Sequence, residues 1–136
     1  MTQFDGPDPQ STLRKVLVVD DEDTVRTALQ ASIETFDGFE VYTAEDGEQG
    51  LEMVARDRYD IMLVDLMMPV IDGFEVLRQI REMDDDVRPE RVILVSGMTD
   101  PTLQGNVRAL GGDGILSKPF RLDDLRRLLV DELDPL

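Results

Sequence analysis

The chain has 136 residues, 41% hydrophobic and 32% charged, a length and balance that suit one globular domain with a sizeable core. Its formal net charge is −16, from 14 basic and 30 acidic side chains, which argues against this domain gripping nucleic acid or an anionic membrane by itself. With no cysteine and no histidine, it has no disulfide, no thiol or imidazole chemistry, and no phospho-histidine of its own.

Residues 1 to about 13 hold Gly6, Pro7 and Pro9 among polar side chains and read as a loose, flexible tail; residues 14–136 read as one domain. Met1-Thr2-Gln3-Phe4-Asp5 lacks the basic and apolar regions of a signal peptide, and no apolar run approaches the ~20 residues of a membrane span, so the expected location is the cytoplasm. A first strand is expected over about Lys15–Asp20, where Val16-Leu17-Val18-Val19 runs into Asp20-Asp21. A helix follows over about Asp23–Phe36, with Val25, Ala28, Leu29 and Phe36 on one face, and Asp37-Gly38 ends it as a turn. Phe39–Thr43 alternates as an edge strand does. The second helix, about Asp46–Arg56, turns Leu51, Val54 and Ala55 inward, although Gly47 and Gly50 weaken it.

The third strand is Ile61-Met62-Leu63-Val64 running into Asp65; four apolar residues without a break fit a strand buried on both faces. After Pro69, Asp72 with Glu75 three residues on caps a helix that runs to about Met83, with Phe74, Leu77 and Ile80 inward. Asp84-Asp85-Asp86 lacks the spacing of an EF-hand loop and reads as a solvated turn. Val92-Ile93-Leu94-Val95, in a strand over about Arg91–Val95, runs into Ser96-Gly97. Pro101 sits in the first turn of a fourth helix that contains Gly105 and ends near Gly111-Gly112. The fifth strand, about Gly114–Ser117, leads to Lys118-Pro119. The last helix, about Leu122–Leu133, turns Leu122, Leu125, Leu129 and Leu133 inward. Five strand–helix alternations imply a parallel sheet with helices on both faces.

In such a sheet, ligand sites lie beyond the carboxyl ends of the strands. Asp20, Asp21, Asp65, Ser96 and Lys118 would gather there. Three carboxylates that close repel unless a cation joins them, and Mg²⁺, which takes oxygen ligands, is the natural one. A carboxylate can itself be a nucleophile toward phosphorus. Lys118 and Ser96 could then hold the charge and oxygens of a phosphoryl group, with Gly97 leaving room beside them. The plainer alternative is that Asp20-Asp21-Glu22-Asp23 only caps the first helix.

These residues carry a resemblance. From about Arg14 to Leu133 the sequence resembles a CheY-like receiver domain of a bacterial two-component response regulator. The resemblance rests on Val16-Leu17-Val18-Val19-Asp20-Asp21-Glu22, Leu63-Val64-Asp65-Leu66-Met67-Met68-Pro69 with Asp72-Gly73, Ser96-Gly97, and Lys118-Pro119-Phe120. It implies a flavodoxin-like, doubly wound five-stranded sheet of order 2-1-3-4-5. It implies that Asp65 is the phosphoacceptor for a phospho-histidine on a histidine kinase or histidine phosphotransfer protein. Asp20, Asp21, Asp65 and the backbone carbonyl of Met67 would ligate Mg²⁺, Asp20 largely through water. Ser96 and Lys118 would hold the phosphate, and the Lys118–Pro119 peptide would be cis. Phosphorylation would switch the surface of the fourth helix, fifth strand and fifth helix toward an output domain or protein, or toward a dimer. Such a domain is not a turnover enzyme.

Two positions depart from the family pattern. Ile115 stands where many members carry an aromatic switch residue, which puts the usual coupling in doubt. Met67 and Met98, two residues past Asp65 and Ser96, are bulky where related positions tune phosphate loss, and are expected to lengthen the phosphorylated lifetime. Two other readings compete. Asp21-Glu22-Asp23-Thr24-Val25 resembles the nucleophile motif of haloacid-dehalogenase-type phosphatases, with Asp21 as nucleophile and Asp23 as acid/base. The other is a receiver-like interaction module that never takes phosphate.

Overall fold

The computed structural model describes residues 12–98 and 100–130. Five strands, β1 (Arg14–Val19), β2 (Phe39–Ala44), β3 (Ile61–Asp65), β4 (Arg91–Ser96) and β5 (Gly114–Ser117), alternate with α1 (Asp23–Glu34), α2 (Gly47–Arg56), α3 (Gly73–Arg81), α4 (Leu103–Ala109) and α5 (Leu122–Val130). The sheet is parallel, in the order β2-β1-β3-β4-β5. The edge position of β2 agrees with its alternating sequence.

The pleat explains why the apolar runs of β1, β3 and β4 are unbroken: each strand feeds two cores. Leu17, Val19, Met62, Val64, Val92 and Leu94 face one side, where α2, α3 and α4 add Leu51, Val54, Val76, Leu77, Ile80 and Val107. Val16, Val18, Ile61, Leu63, Ile93 and Val95 face the other, under Leu29 and Ile33 of α1 and Leu125, Leu128 and Leu129 of α5. Each fully buried side chain of this kind contributes about 1.5–3 kcal/mol relative to exposure.

The helix faces differ from expectation in detail. Ile33, Val76 and Leu128 are buried, whereas Ala28, Ala55 and Leu122 are exposed. An alanine offers too little apolar area to set a helix's rotation, and Leu122 opens α5 before that helix settles onto the sheet. Pro101 lies in the turn before α4, because the helix begins only at Leu103. The expected inward Leu133, and the tail except Thr12 and Leu13, fall outside the described residues.

Two features bring α3 against the end of β3. Asp72 caps the helix by accepting from the Glu75 N–H at 2.9 Å. Gly73 then passes so close that an added Cβ would lie 2.8 Å from the Asp65 carbonyl oxygen and the Leu66 Cα, and its N–H donates to the Leu66 carbonyl at 2.8 Å. The Asp65 end of the strand is thereby braced from behind.

Candidate functional site

The parallel sheet delivers all five predicted side chains to its carboxyl edge. Asp20 and Asp21 follow β1, Asp65 ends β3, Ser96 ends β4 and Lys118 follows β5. Register fixes the neighbours: Asp65 pairs with Val95, and Ser96 with Ser117. The Lys118 N–H donates to the Ser96 carbonyl at 2.8 Å, and the Lys118–Pro119 peptide is cis.

Asp20, Asp65 and Ser96 are the buried polar residues among those described, each no more than 2% exposed. Lys118 Nζ donates to Asp65 Oδ1 at 3.0 Å and lies 3.5 Å from Asp20 Oδ2 and 3.7 Å from Glu22 Oε1. Asp20 Oδ1 accepts from the Glu22 N–H at 2.9 Å. That bond turns the chain into α1, whose N-cap residue Glu22 makes no side-chain cap of its own. Capping therefore accounts for one oxygen of Asp20 and not for the four-acid run. The Oδ2 atoms of Asp20 and Asp65 are buried without a hydrogen-bond partner.

Burial pushes the Asp20 carboxyl up from its ordinary value, against the Glu22 N–H, and the charge of Asp65 adds to the push. Asp65 is likewise raised, first by burial, while its bond to Lys118 opposes and the charge of Asp21 adds. Burial works against the charge of Lys118, but the bond to Asp65 and the neighbouring acids outweigh it and raise its ammonium. One ammonium thus faces more negative charge than it can neutralise.

Oxygens of Asp20, Asp21 and Asp65 lie within 4.8 Å of one another. Three hard oxygen donors, two of them on buried acids with a spare oxygen, fit a small divalent cation such as Mg²⁺. The Met67 N–H also helps hold the Asp65 carboxylate in its charged form. Ser96 Oγ accepts from the Met98 N–H at 2.9 Å, a bond that does not use its O–H. Gly97 has open space, with only the Lys118 Cβ within 4 Å of an added Cβ.

Met67 is 70% exposed, and Met98, two residues past Ser96, is also exposed. Ile115 is half-buried against the core side covered by α2, α3 and α4. Asp23, the acid/base of the phosphatase reading, is exposed, paired to Arg26, and absent from the carboxylate group around Asp65.

Two neighbours escaped the sequence reading. Glu22 reaches Lys118, and Arg26 donates from Nη1 to the Asp20 carbonyl at 2.7 Å. The spacing of Asp23 and Arg26 signals a helical ion pair, but nothing in sequence signals a bond to a backbone carbonyl six residues back.

A family model described as the response regulator receiver domain matches residues 16–130. The chain is 42% identical over 111 residues to the response regulator MprA of Mycobacterium leprae, covering 82% of this chain and 47% of that protein. It thus spans about half the length of the curated relatives it matches. Among solved structures, it is similar to the chemotaxis response regulator CheY4 of Vibrio cholerae, with a TM-score of 0.77 at 32% identity over 87% of this chain and 100% of that one. It is also similar to the receiver domain of sensor histidine kinase PA1611 from Pseudomonas aeruginosa, described with a magnesium ion in its active site cleft. There the TM-score is 0.73 at 30% identity, over 86% of this chain and 94% of that one.

Proposed function

Because the chain belongs to the response regulator receiver domain family, we propose that it is a phosphoacceptor switch, with Asp65 taking a phosphoryl group from a phospho-histidine on a sensor kinase or histidine phosphotransfer protein. One observation carries this reading: Lys118 holds Asp65 Oδ1 at 3.0 Å while Asp65 Oδ2 stays without a partner, beside two further acids. Asp20, Asp21, Asp65 and the Met67 carbonyl would hold Mg²⁺. Bound there, it supplies positive charge to the phosphoryl oxygens.

The chain's own groups do the rest. An Asp65 oxygen forms the O–P bond as the P–N bond to the donor histidine breaks, and the imidazole leaves with that electron pair. Lys118 offers a point charge to the product, and the Ser96 hydroxyl donates to one of its oxygens. Phosphorylation replaces a carboxylate of charge −1 by a group of about −1.5 to −2. Drawing Ser96 toward that group pulls on the end of β4, next to β5 and α4, and this biases the α4–β5–α5 surface toward an output partner or a second copy. The reading places the chain in the cytoplasm and gives it no turnover of a free substrate.

The test is incubation of the full chain with Mg²⁺ and a small phosphodonor, followed by mapping of the modified residue. One phosphoryl group on Asp65, labile to alkali and to hydroxylamine as an acyl phosphate is and absent from Asp65→Asn, is expected. Beryllofluoride with Mg²⁺ should shift the amide resonances of Ser96, α4 and β5. Modification at Asp21 with turnover of a phosphoester would support the phosphatase instead. No reaction in a folded, Mg²⁺-saturated chain would favour the phosphate-independent module.

A further inference from the structure

Asp20 and Asp65 are fixed by the core that encloses them. Asp21 is not. It is exposed, and its carboxylate has no hydrogen bond or ion pair among the described residues. Its oxygen nevertheless lies within 4.8 Å of oxygens of both buried acids, where like charges oppose it. The place of Asp21 must therefore be set by the backbone on either side of it. After Asp21, the Glu22 carbonyl accepts from the Arg26 N–H at 3.0 Å, the backbone bond that opens α1 and that any residue but proline would make there. Before Asp21, the Asp20 carbonyl is held by a side chain: Arg26 Nη1 donates to it at 2.7 Å.

The guanidinium is itself held in place. Its side chain is 14% exposed, Nη2 pairs with Asp23, and the same nitrogen lies 4.0 Å from Glu45 in the loop after β2. The planar fork of arginine suits this task, because separate N–H groups can serve a carbonyl and two carboxylates at once. A lysine ammonium would keep the charge without the fork.

We infer that Arg26 is a positioning residue for the cation site, its guanidinium gripping the carbonyl of the peptide that leads into Asp21 so that this exposed carboxylate stays beside Asp20 and Asp65. The inference rests on the metal-binding part of the proposed function. It has a sign that a purely electrostatic role lacks. If Arg26 acted through its charge alone, its removal would tighten binding of a divalent cation, since a nearby positive charge repels Mg²⁺. As a tie, its removal weakens binding.

The experiment is calorimetric titration of Mg²⁺ into the metal-free full chain, for the wild type, Arg26→Met and Arg26→Lys. Melting of each in EDTA accompanies it, with amide spectra of Asp21 and Glu22. Arg26→Met should bind Mg²⁺ roughly tenfold more weakly, in the range seen when a residue supporting a metal ligand is lost. Arg26→Lys should fall between it and the wild type. The Asp21 and Glu22 amides should shift in the metal-free variants. Equal or tighter binding by folded Arg26→Met overturns the inference and leaves the proposed function standing. Should that variant not fold, Arg26→Lys decides, and wild-type affinity in it overturns the inference. Failure of the wild type to bind Mg²⁺ overturns the metal site itself, and the role of Arg26 with it.

Discussion

Lys118 Nζ sits 3.0 Å from Asp65 Oδ1, joining residues 53 positions apart. It also lies 3.5 Å from Asp20 Oδ2, so one ammonium is shared by two buried carboxylates. Lys118→Met keeps most of the stem and removes the charge, leaving both acids enclosed without a cation. Removing one partner of a buried pair costs more than the pair contributes, but these acids can take up a proton. The expected loss of stability in EDTA is about 1–3 kcal/mol by urea denaturation. Unchanged stability would show that the acids are neutral in the folded chain.

The same excess of negative charge predicts that Mg²⁺ stabilises the fold. A ligand at a hundred times its dissociation constant adds about 2.7 kcal/mol when it binds only the folded chain. Thermal melting should move upward with Mg²⁺, return with EDTA, and respond much less in Asp20→Asn or Asp21→Asn. A melting temperature indifferent to Mg²⁺ in the wild type would remove the metal from the site.

Met67 is 70% exposed, and a long apolar side chain two residues past the proposed acceptor Asp65 would stand between an aspartyl phosphate there and attacking water. Met67→Asn substitutes a shorter, hydrogen-bonding group. Loss of phosphate from Asp65, followed after removal of the donor, should be several-fold faster in the variant. An equal or slower rate rejects shielding by Met67.

How much of this was legible follows from which contacts a sequence can carry. Val16 to Val19, Ile61 to Val64 and Val92 to Val95 each place four apolar residues in a row, which fits a short strand buried on both faces better than a helix at that length. Once those strands are parallel, Asp20, Asp65 and Ser96 must share an edge, and Lys118 joins them through the next crossover. The finer contacts were not legible. The grip of Arg26 on the Asp20 carbonyl involves no partner side chain. Val70 adopts a φ of +70°, unusual for a β-branched residue, and no residue-type signal announces it. Tyr59 lies between a helix and a strand, outside any apolar period, yet is fully buried.

That tyrosine carries a prediction with a definite sign. Its ring packs edge-on to Tyr42, with centroids 5.9 Å apart, and its hydroxyl is buried without a partner. Burial first, and then the charge of Asp57, push the phenol up to about 12 from an ordinary 10.0. A raised folded-state value means that stability is fully present below pH 10 and is lost as pH rises through 12, by about 3 kcal/mol at about 1.4 kcal/mol per unit. Tyr59→Phe removes both the titration and the orphaned hydroxyl. It should be as stable as the wild type or about 1 kcal/mol more stable at neutral pH, and flatter in stability between pH 10 and 12. Denaturation midpoints across that range decide it, and a variant that falls as steeply as the wild type places the alkaline loss elsewhere.

Two helical glycines should respond to alanine with opposite signs. Both gain about 1 kcal/mol of intrinsic helix preference when replaced. At Gly105, in α4, an added Cβ meets nothing within 4 Å, so Gly105→Ala should keep most of that gain, about 0.4–1 kcal/mol. At Gly50, in α2, the Cβ would lie 2.9 Å and 3.2 Å from the two γ-methyls of Val19. Val19 is 1% exposed in β1 and is paired with Ala44 on one side and Val64 on the other. It has no free direction in which to yield, so α2 must lift from the sheet at a cost of about 1–3 kcal/mol. Gly50→Ala should therefore be destabilised on balance, and because Val19 immediately precedes Asp20, its Mg²⁺ affinity should fall as well. Urea denaturation of the two variants in parallel reads the first effect and calorimetry the second. A stabilised Gly50→Ala would mean that the helix can move off Val19 at little cost, and that the glycine is not needed for the close packing of α2 against β1.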